Sequence, residues 1–334
     1  MSSYILLERI KVENANCIAG LTYGFPAVTA FLGFEHFLSR QFKAQFGIGF
    51  NGCAIFCHDY KVNSYEQYYT RFIQSRNPPS TLKGKGGDAK KPAPIIEEGK
   101  MDMVVSLLLR CDGNLATNSE DINAYINALK SYIYSARLAG GSIYHIRSIR
   151  MLGNDMTALK RAILPSFVLL DATHLLEAHF NECQQEQPNK LLLDIWTDFF
   201  AYKEQAVQDD VVQDGATLNK ETPNKTAKEV TWARYIPPNK KGWIVPLMKG
   251  FKGISPLYDP SEVDNLRDTR YPFRFVEAVH GLGEWRSVHR LEDLDSIFWR
   301  YQVSDEWYLC EQTFHIKESK QSLIDDYFDD VFND

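Results

Sequence analysis

The run YILLERIKV at 4–12 alternates apolar and charged positions. Leu6, Ile10 and Val12 share one face of an extended segment, with Arg9 and Lys11 on the other, which predicts a first strand. From residue 26 the period lengthens. Pro26 suits a first helical turn, and Val28, Phe31, Leu32, Leu38, Phe42 and Phe46 form an apolar stripe to 46. Ala30, Phe34 and Phe37 lie roughly opposite. This helix is therefore expected to be covered twice, by its own sheet and by a partner chain, with Phe34 and Phe37 as the partner-binding residues.

Further strands are predicted at 52–60 (GCAIFCHDY), 64–74 (SYEQYYTRFIQ) and 101–110 (MDMVVSLLLR), the last buried by its continuous apolar run. Ile122, Tyr125, Ile126, Leu129 and Ile133 mark a second helix, opened by Ser119 as its N-cap and closed by Gly140 and Gly141. SIYHIRSI at 142–149 is again a strand. The order over 1–150 is strand, helix, strands, helix, strand. That is the split βαβ pattern of α+β ferredoxin-like and RNA-recognition folds. An extra hairpin at about 64–110 is expected, 64–74 pairing with 101–110. Its tip is basic: Arg71, Arg76, Lys83, Lys85, Lys90 and Lys91 against Asp88 give +5 over 71–91.

The second region, 151–316, is less regular. Strands are read at 163–170, 242–248 and 306–314, and helices in LLEAHF and LLLDIWTDFFAY. Residues 203–230, with six acids and four lysines, read as a polar insertion, and 317–334 as an acidic tail of net −4. The stretch 14-NANCIAGLTYGFP-26 stands out. Asn14 and Asn16 separate an apolar strand from an apolar helix, and they serve either as turn and cap residues or as hydrogen-bonding groups facing a ligand.

Totals change the picture little. A chain of 334 residues exceeds the usual single core, and 44% apolar with 13% aromatic residues excludes global disorder. The net charge of −6 hides local basic clusters, since charges act within a Debye length of about 10 Å. Six scattered cysteines form no disulfide framework and fit a reducing cytoplasm. The charged N-terminal run is not a signal peptide, and no stretch has the roughly 18 apolar residues of a membrane span.

Cys53, Cys57 and His58 lack finger spacing, and His174 and His179 are five apart, so no metal or other cofactor is expected. No nucleophile elbow or phosphate-binding glycine loop occurs. GLG at 281–283 reads as a tight turn or as backbone that a phosphate or base approaches closely. His36 and His58 are the candidates for a metal-independent endoribonuclease, each without a visible orienting partner. Arginines recur beside aromatics and glycines: Arg76, Arg137, Arg147 with Arg150, Arg267, Arg286, and Arg290 with His289. Guanidinium forks hold phosphates and aromatics stack unpaired bases, so single-stranded nucleic acid is favoured.

The chain resembles a known family. The residues carrying the resemblance are NAN, LTYGFP and TAFLGF at 14–34, SRNP at 75–78, IIEEG and VVSLLL at 95–109, and RLAGGSI at 137–143. They continue as LPSF at 164–167, GWIVPL at 242–247, GISPLYDPSEVDNLRD at 253–268 and FRFVEAVHGLGEWRSVHR at 273–290. In order and over nearly the whole chain, these resemble the second Csy subunit of the type I-F CRISPR surveillance complex, a Cas-five-type member of the RAMP superfamily. The resemblance implies a modified RNA-recognition fold with a thumb-like hairpin and a non-catalytic role in Cascade-like antiviral defence. It implies a grip on the 5′ handle of the guide RNA, pairing with the large Csy subunit, abutment on the backbone Csy subunit, and contact with target DNA through the assembled complex. Asn14, Asn16, Arg76, Arg137, Arg147, Arg267, Arg286, His289 and Arg290 are the expected RNA contacts. Val288 departs from the proline usual before HR. A protein-only scaffold, docking through the 26–46 helix, is a further alternative.

Overall fold

The computed structural model describes residues 3–76, 95–116, 118–208, 230–237, 240–266 and 268–312. The first half supplies β1 (Tyr4–Asn16), α1 (Val28–Phe46), β2 (Phe50–Val62), β3 (Lys100–Cys111), α2 (Ser119–Ser135) and β4 (Gly141–Leu152). These strands are antiparallel in the order β4, β1, β3, β2. Both helices pack on one face. Val28, Phe31, Leu32, Leu38 and Phe42 of α1 and Tyr125, Leu129 and Ile133 of α2 meet Ile5, Leu7, Ile10 and Val12 of β1 in one core.

The second half contributes α3 (Met156–Ile163), β5 (Phe167–Asp171), α4 (Thr173–Glu186), α5 (Leu192–Thr197), β6 (Trp243–Gly253), β7 (Val276–Ser287), β8 (Trp299–Ser304) and β9 (Trp307–Gln312). The sheet runs on from β2 through β5, β7, β6 and β9 to β8, and β8 pairs back onto β2 at Trp299 and Cys53. Six strands thus close a ring that shares β2 with the first half. Its interior holds a buried Asp171–Lys249 ion pair at 2.6 Å, and Gln312 accepts from Asp171 N and donates to Leu169 O and Ile297 O. On the sheet face away from α1, Leu159, Ala162 and Ile163 of α3 cover Tyr4, Leu6, Ala54, Phe56 and Leu108.

Leu6 therefore does not share a face with Ile10 and Val12, as strict alternation predicts. The cause is a bulge. Leu7 pairs with Leu107 and Ile10 with Val105, so β1 uses one more residue than β3 over this step. Arg9 absorbs it at φ 50°. A second bulge lies between Val12 and Ala15, where Asn14 takes φ 55°. An extra residue leaves an amide without its ladder partner. Both amides find one on β3: Arg9 N donates to Ser106 Oγ (2.9 Å) and Asn14 N to Asp102 Oδ1 (2.9 Å).

Other expectations are corrected by packing. The cap of α2 is Asn118, whose side chain accepts from Asp121 N, and not Ser119. Gly140 and Gly141 do not end α2, which stops at Ser135; they belong to a hairpin pairing Leu138 with Gly141 through Ala139 and Gly140, both at positive φ. Residues 64–74 are not one strand against 101–110, because both edges of β3 are taken by β1 and β2. Ser64–Glu66 instead pairs with Thr70–Phe72, and Gln74–Arg76 with Ile95–Glu97. The strand read at 163–170 starts at Phe167, since Ile163 closes α3. GLG is no turn but the middle of β7: a Cβ on Gly281 would lie 2.6 Å from Thr173 Oγ1, so the glycine admits α4 and not a ligand. Phe34 is 4% exposed and belongs to the core, whereas Phe37 stays half-buried. Of the polar insertion, Glu204–Gln208 pairs with Val230–Arg234, and 209–229 lie outside the described residues, as do the Lys83–Lys91 tip and the acidic tail. No helix among the described residues is long and apolar enough to cross a membrane.

Ser106 is fully buried and serves two partners, so its loss leaves two polar groups unpaired. Ser106→Ala is expected to destabilise the fold by about 2–6 kcal/mol, at roughly 1–3 kcal/mol per orphaned group. Asp102→Ala, at a partly exposed site open to water, should cost about 1 kcal/mol. Urea denaturation of the two variants checks the contrast; equal losses would remove the special role of Ser106.

Candidate nucleic-acid interface

The face of the sheet beneath α3 is covered only along the β1 segment that precedes the Arg9 bulge. Beyond the bulge it is open and polar. Lys11 pairs with His145 on one side and with Val104 on the other. Arg9 and Arg147 fall at the same level, between the Glu8–Ser148 and Ile10–Ile146 pairs. Arg9, Lys11, His145 and Arg147, with His58 and Asp59 from β2, line a cleft of about 320 Å³.

Buried groups set the positions of these cations. Glu8 is 1% exposed, and its carboxylate takes Arg147 Nη1 at 3.3 Å and Arg150 Nη2 at 2.9 Å, plus the Ser148 hydroxyl at 2.6 Å. Two guanidinium charges outweigh one carboxylate, so the cluster presents net positive charge to solvent, and both arginines remain about half exposed. Arg9 Nη2 donates to Leu164 O at 3.2 Å, while Arg9 Nε is buried without a partner. The preference of guanidinium for oxyanions makes this cleft suited to phosphate.

His58 is a structural member of the cleft wall. Its Nδ1 lies 2.9 Å from Pro165 O and its Nε2 2.7 Å from Ser106 Oγ. A carbonyl only accepts, so Nδ1 carries the proton and Nε2 accepts from the Ser106 hydroxyl, which in turn accepts from Arg9 N. Burial holds the imidazole pKa below its ordinary value, and the Arg9 charge adds to that. His58 thus has orienting partners that sequence reading did not find, and neither nitrogen is free for a 2′-hydroxyl. His36 contacts the Tyr301 hydroxyl at 3.1 Å on the other side of the sheet.

The predicted contacts do not all gather here. Arg147 lies in the cleft. Asn14 sits exposed in the second bulge of β1, and Asn16 closes a local turn, its side chain donating to Ile18 O and accepting from Ile18 N. Asn16 N donates to Ala139 O, which brings Arg137 alongside; Arg137 Nη1 donates to Gly140 O at 3.2 Å. Arg76 is exposed on its short strand. Arg286 is held by both oxygens of Glu284 at 3.2 and 2.6 Å. His289 and Arg290 are exposed on a 3-10 turn against α3, where Lys160 Nζ donates to His289 O. Val288, buried there, donates its amide to Ser166 O, a bond that proline cannot make. Arg267 lies outside the described residues. Sequence reading missed Arg9, Lys11 and His145. The polar side of strands β1 and β4 was legible, but which part of it stays uncovered was not.

One group of metal-ligand types, His179, Cys183 and Asp198, lies together among the described residues. Lys190 and Lys203 each place Nζ 2.6 Å from an Asp198 oxygen, and His179 Nε2 lies 2.8 Å from Oδ2. Two ammonium groups already neutralise the carboxylate, which holds its pKa down despite burial. His179 is thus a buried member of an ion network that ties α4 to α5.

Residues 5–310 match the family model for CRISPR-associated protein (Cas_Csy2). A protein of Pseudomonas aeruginosa (strain UCBPP-PA14), "CRISPR-associated protein Csy2", is 32% identical over 322 residues, covering 90% of this chain and 91% of that protein.

The neutral His58 couples stability to pH. Its folded pKa lies below the ordinary 6.5, so between the two values the unfolded chain binds a proton that the folded chain does not. Stability conferred by the neutral ring is present above that window and is lost as pH falls through it. Thermal unfolding of the natural protein should therefore lose more stability between about pH 7.5 and 5.5 than that of His58→Gln. Parallel pH profiles would show that the ring is not held neutral.

Proposed function

The chain belongs to the Csy2 family of CRISPR-associated proteins, and from that premise we propose that it is a non-catalytic subunit of a type I-F complex that holds the single-stranded 5′ handle of the guide RNA. The observation that carries the reading is the convergence of Arg9, Lys11 and Arg147 on the uncovered part of the central sheet, with Arg147 locked from beneath by Glu8. The strand order β4, β1, β3, β2 with two helices on one face supports a ferredoxin-like RAMP fold, whose open sheet face is a natural platform for single-stranded RNA. Arg147, Arg9 and Lys11 hold phosphates; Asn14 and Arg137 extend the contact where the cleft meets the 138–141 turn. Arg76, on the basic hairpin, reaches the guide beyond the handle. Target DNA is met through the assembled complex, in the cytoplasm.

A second observation favours pairing with the large subunit through α1. A hollow of about 430 Å³ lies between α1 and the 135–140 turn, and the half-buried Phe37 lines it. Phe34 lines its inner side and is already core.

Lys11→Ala and Arg147→Ala leave Glu8 paired with Arg150, so folding should survive. Each should weaken binding of a handle RNA, and the slope of log affinity against log salt should fall by about 0.7 for each phosphate no longer neutralised. Unchanged affinity and slope in the double variant would overturn the cleft as the RNA site. Phe37→Asp should abolish co-purification with the large subunit at unchanged thermal stability, whereas Phe34→Asp should unfold the chain; a Phe37→Asp protein that still assembles would remove α1 as the docking face.

A further inference from the structure

The stretches LTYGFP, GWIVPL and GLGEW, distant in sequence, meet in one place that the basic cleft does not use. Tyr23 and Phe25 from the loop after β1, Tyr60 from β2, Trp243 from β6 and Trp285 from β7 line a cleft of about 200 Å³, together with aliphatic side chains such as Leu169 of β5 and Leu247 of β6. Its floor is fixed. Phe25 packs edge-on against Trp285 at 4.9 Å and stacks on Phe31 of α1 at 5.5 Å. Trp285 is 8% exposed. Its rim is open: Tyr23, Tyr60 and Trp243 are each about half exposed. The rim rings are braced from outside, Tyr23 edge-on to Phe72 at 5.1 Å and Trp243 edge-on to Phe167 at 5.4 Å.

The loop that carries Tyr23 is held rigidly. Ile18–Ala19 pairs with Thr22–Tyr23 across a turn at Gly20, where φ is 60° and a Cβ would collide with the His280 ring. His280 Nε2 accepts from Leu21 N at 3.1 Å. The walls therefore exist before any ligand arrives, and a ring entering them meets little ordering cost.

We infer that this cleft is a slot for one unstacked nucleobase of the bound single-stranded RNA. The inference rests on the RNA-binding reading above. Aromatic side chains offer π faces to a flat ring, the volume suits one heterocycle, and Tyr23, Tyr60 and Trp243, half exposed, carry hydroxyls and an indole N–H that can bond the polar edge that every base carries. An aliphatic side chain would use the walls but not those groups. Position supports the same occupant. Asp59 lines the basic cleft and Tyr60 the aromatic one, so the two clefts lie back to back across the end of β2. A strand whose phosphates cross the end of the sheet from Lys11 and Arg147 presents a base to Tyr60.

The test uses the full chain assembled with its neighbouring subunits and a guide RNA whose handle bases are replaced one at a time by abasic sites. Trp243→Ala and Tyr60→Ala alter exposed rim residues, and assembly is checked by size-exclusion chromatography. Each variant should weaken RNA binding about 5- to 100-fold with an unchanged salt slope. One abasic position should cause a similar loss, and combining it with Trp243→Ala should add nothing further. Ultraviolet crosslinks from that nucleotide should map to the Tyr23, Tyr60 or Trp243 peptides. If the RNA binds equally well to the double variant and every abasic site is tolerated, the slot is overturned while RNA binding stands. Crosslinks from the cleft to a protein subunit, with RNA affinity unaltered, would assign it to a partner side chain instead and also overturn the slot. An assembly that binds no handle RNA would overturn both readings.

Discussion

Strand β1 is crossed by two bulges, and the rest of the molecule is arranged around how β3 satisfies them. Each bulge turns one backbone amide away from its ladder. Ser106 and Asp102, four residues apart on the same face of β3, accept those amides. The first bulge also resets the alternation of β1. Leu7 and Ile10 both reach the helix-covered core although they are an odd number apart, while Arg9 is turned toward the opposite face. The apolar part of that face ends there. Before the bulge it is sealed by α3; after it the strand offers Lys11, and the neighbouring β4 offers His145 and Arg147.

Burying a carboxylate such as Glu8 is costly unless charge and hydrogen bonds compensate it. Arg147, Arg150 and Ser148 do so, and the arrangement fixes two guanidinium groups at the surface with little remaining freedom. Anchored cations lose less entropy on meeting an anion than free surface lysines do. The Ser106–His58–Pro165 chain of hydrogen bonds extends this order to the wall of the cleft and links it to the LPSF turn before β5. A stretch of sequence with no chemistry of its own is thereby explained: its carbonyls accept from Arg9 and His58.

The closed ring of strands has a comparable role for the aromatic cleft. Pairing of β8 back onto β2 and the buried Asp171–Lys249 bridge make β5, β6 and β7 a rigid wall, and Gly281 lets α4 press against it without distortion. Trp285 and Trp243 then hold their places opposite the loop that follows β1. Neither cleft belongs to one half of the chain alone. The basic cleft is lined by the first half, but the carbonyls of the LPSF turn hold its Arg9 and His58; the aromatic cleft draws its rings from the loop after β1, β2, β6 and β7.

The sequence by itself determined the first half in outline. The apolar pattern of 4–12, the Phe-rich stripe of 28–46 and the 122–133 stripe specify one strand and two helices, because burial of apolar area dominates local choice there, although the Arg9 bulge put Leu6 on the face opposite to the one alternation predicts. The order of the motifs over nearly the whole chain also carried the resemblance to the family. Local reading failed where a partner decides. Ser119 and Asn118 are equally good caps by type, and only the placed backbone selects Asn118. Gly281 and Gly283 look like a turn until the strand is placed, where Gly281 makes room for α4 and Gly283 faces Leu169 and Leu247 of the neighbouring strands. Phe34 and Phe37 look alike on a helical wheel, yet only the first is fully buried in the core. The cleft itself was legible only in fragments. Arg147 stood out, but Arg9 and Lys11 read as solvated charges of an ordinary strand. Whether a charged face meets water, a helix or a ligand depends on which distant segment lies over it. Here α3 ends over the first part of the sheet and leaves the second part open, a matter of long-range packing that tertiary structure alone decides.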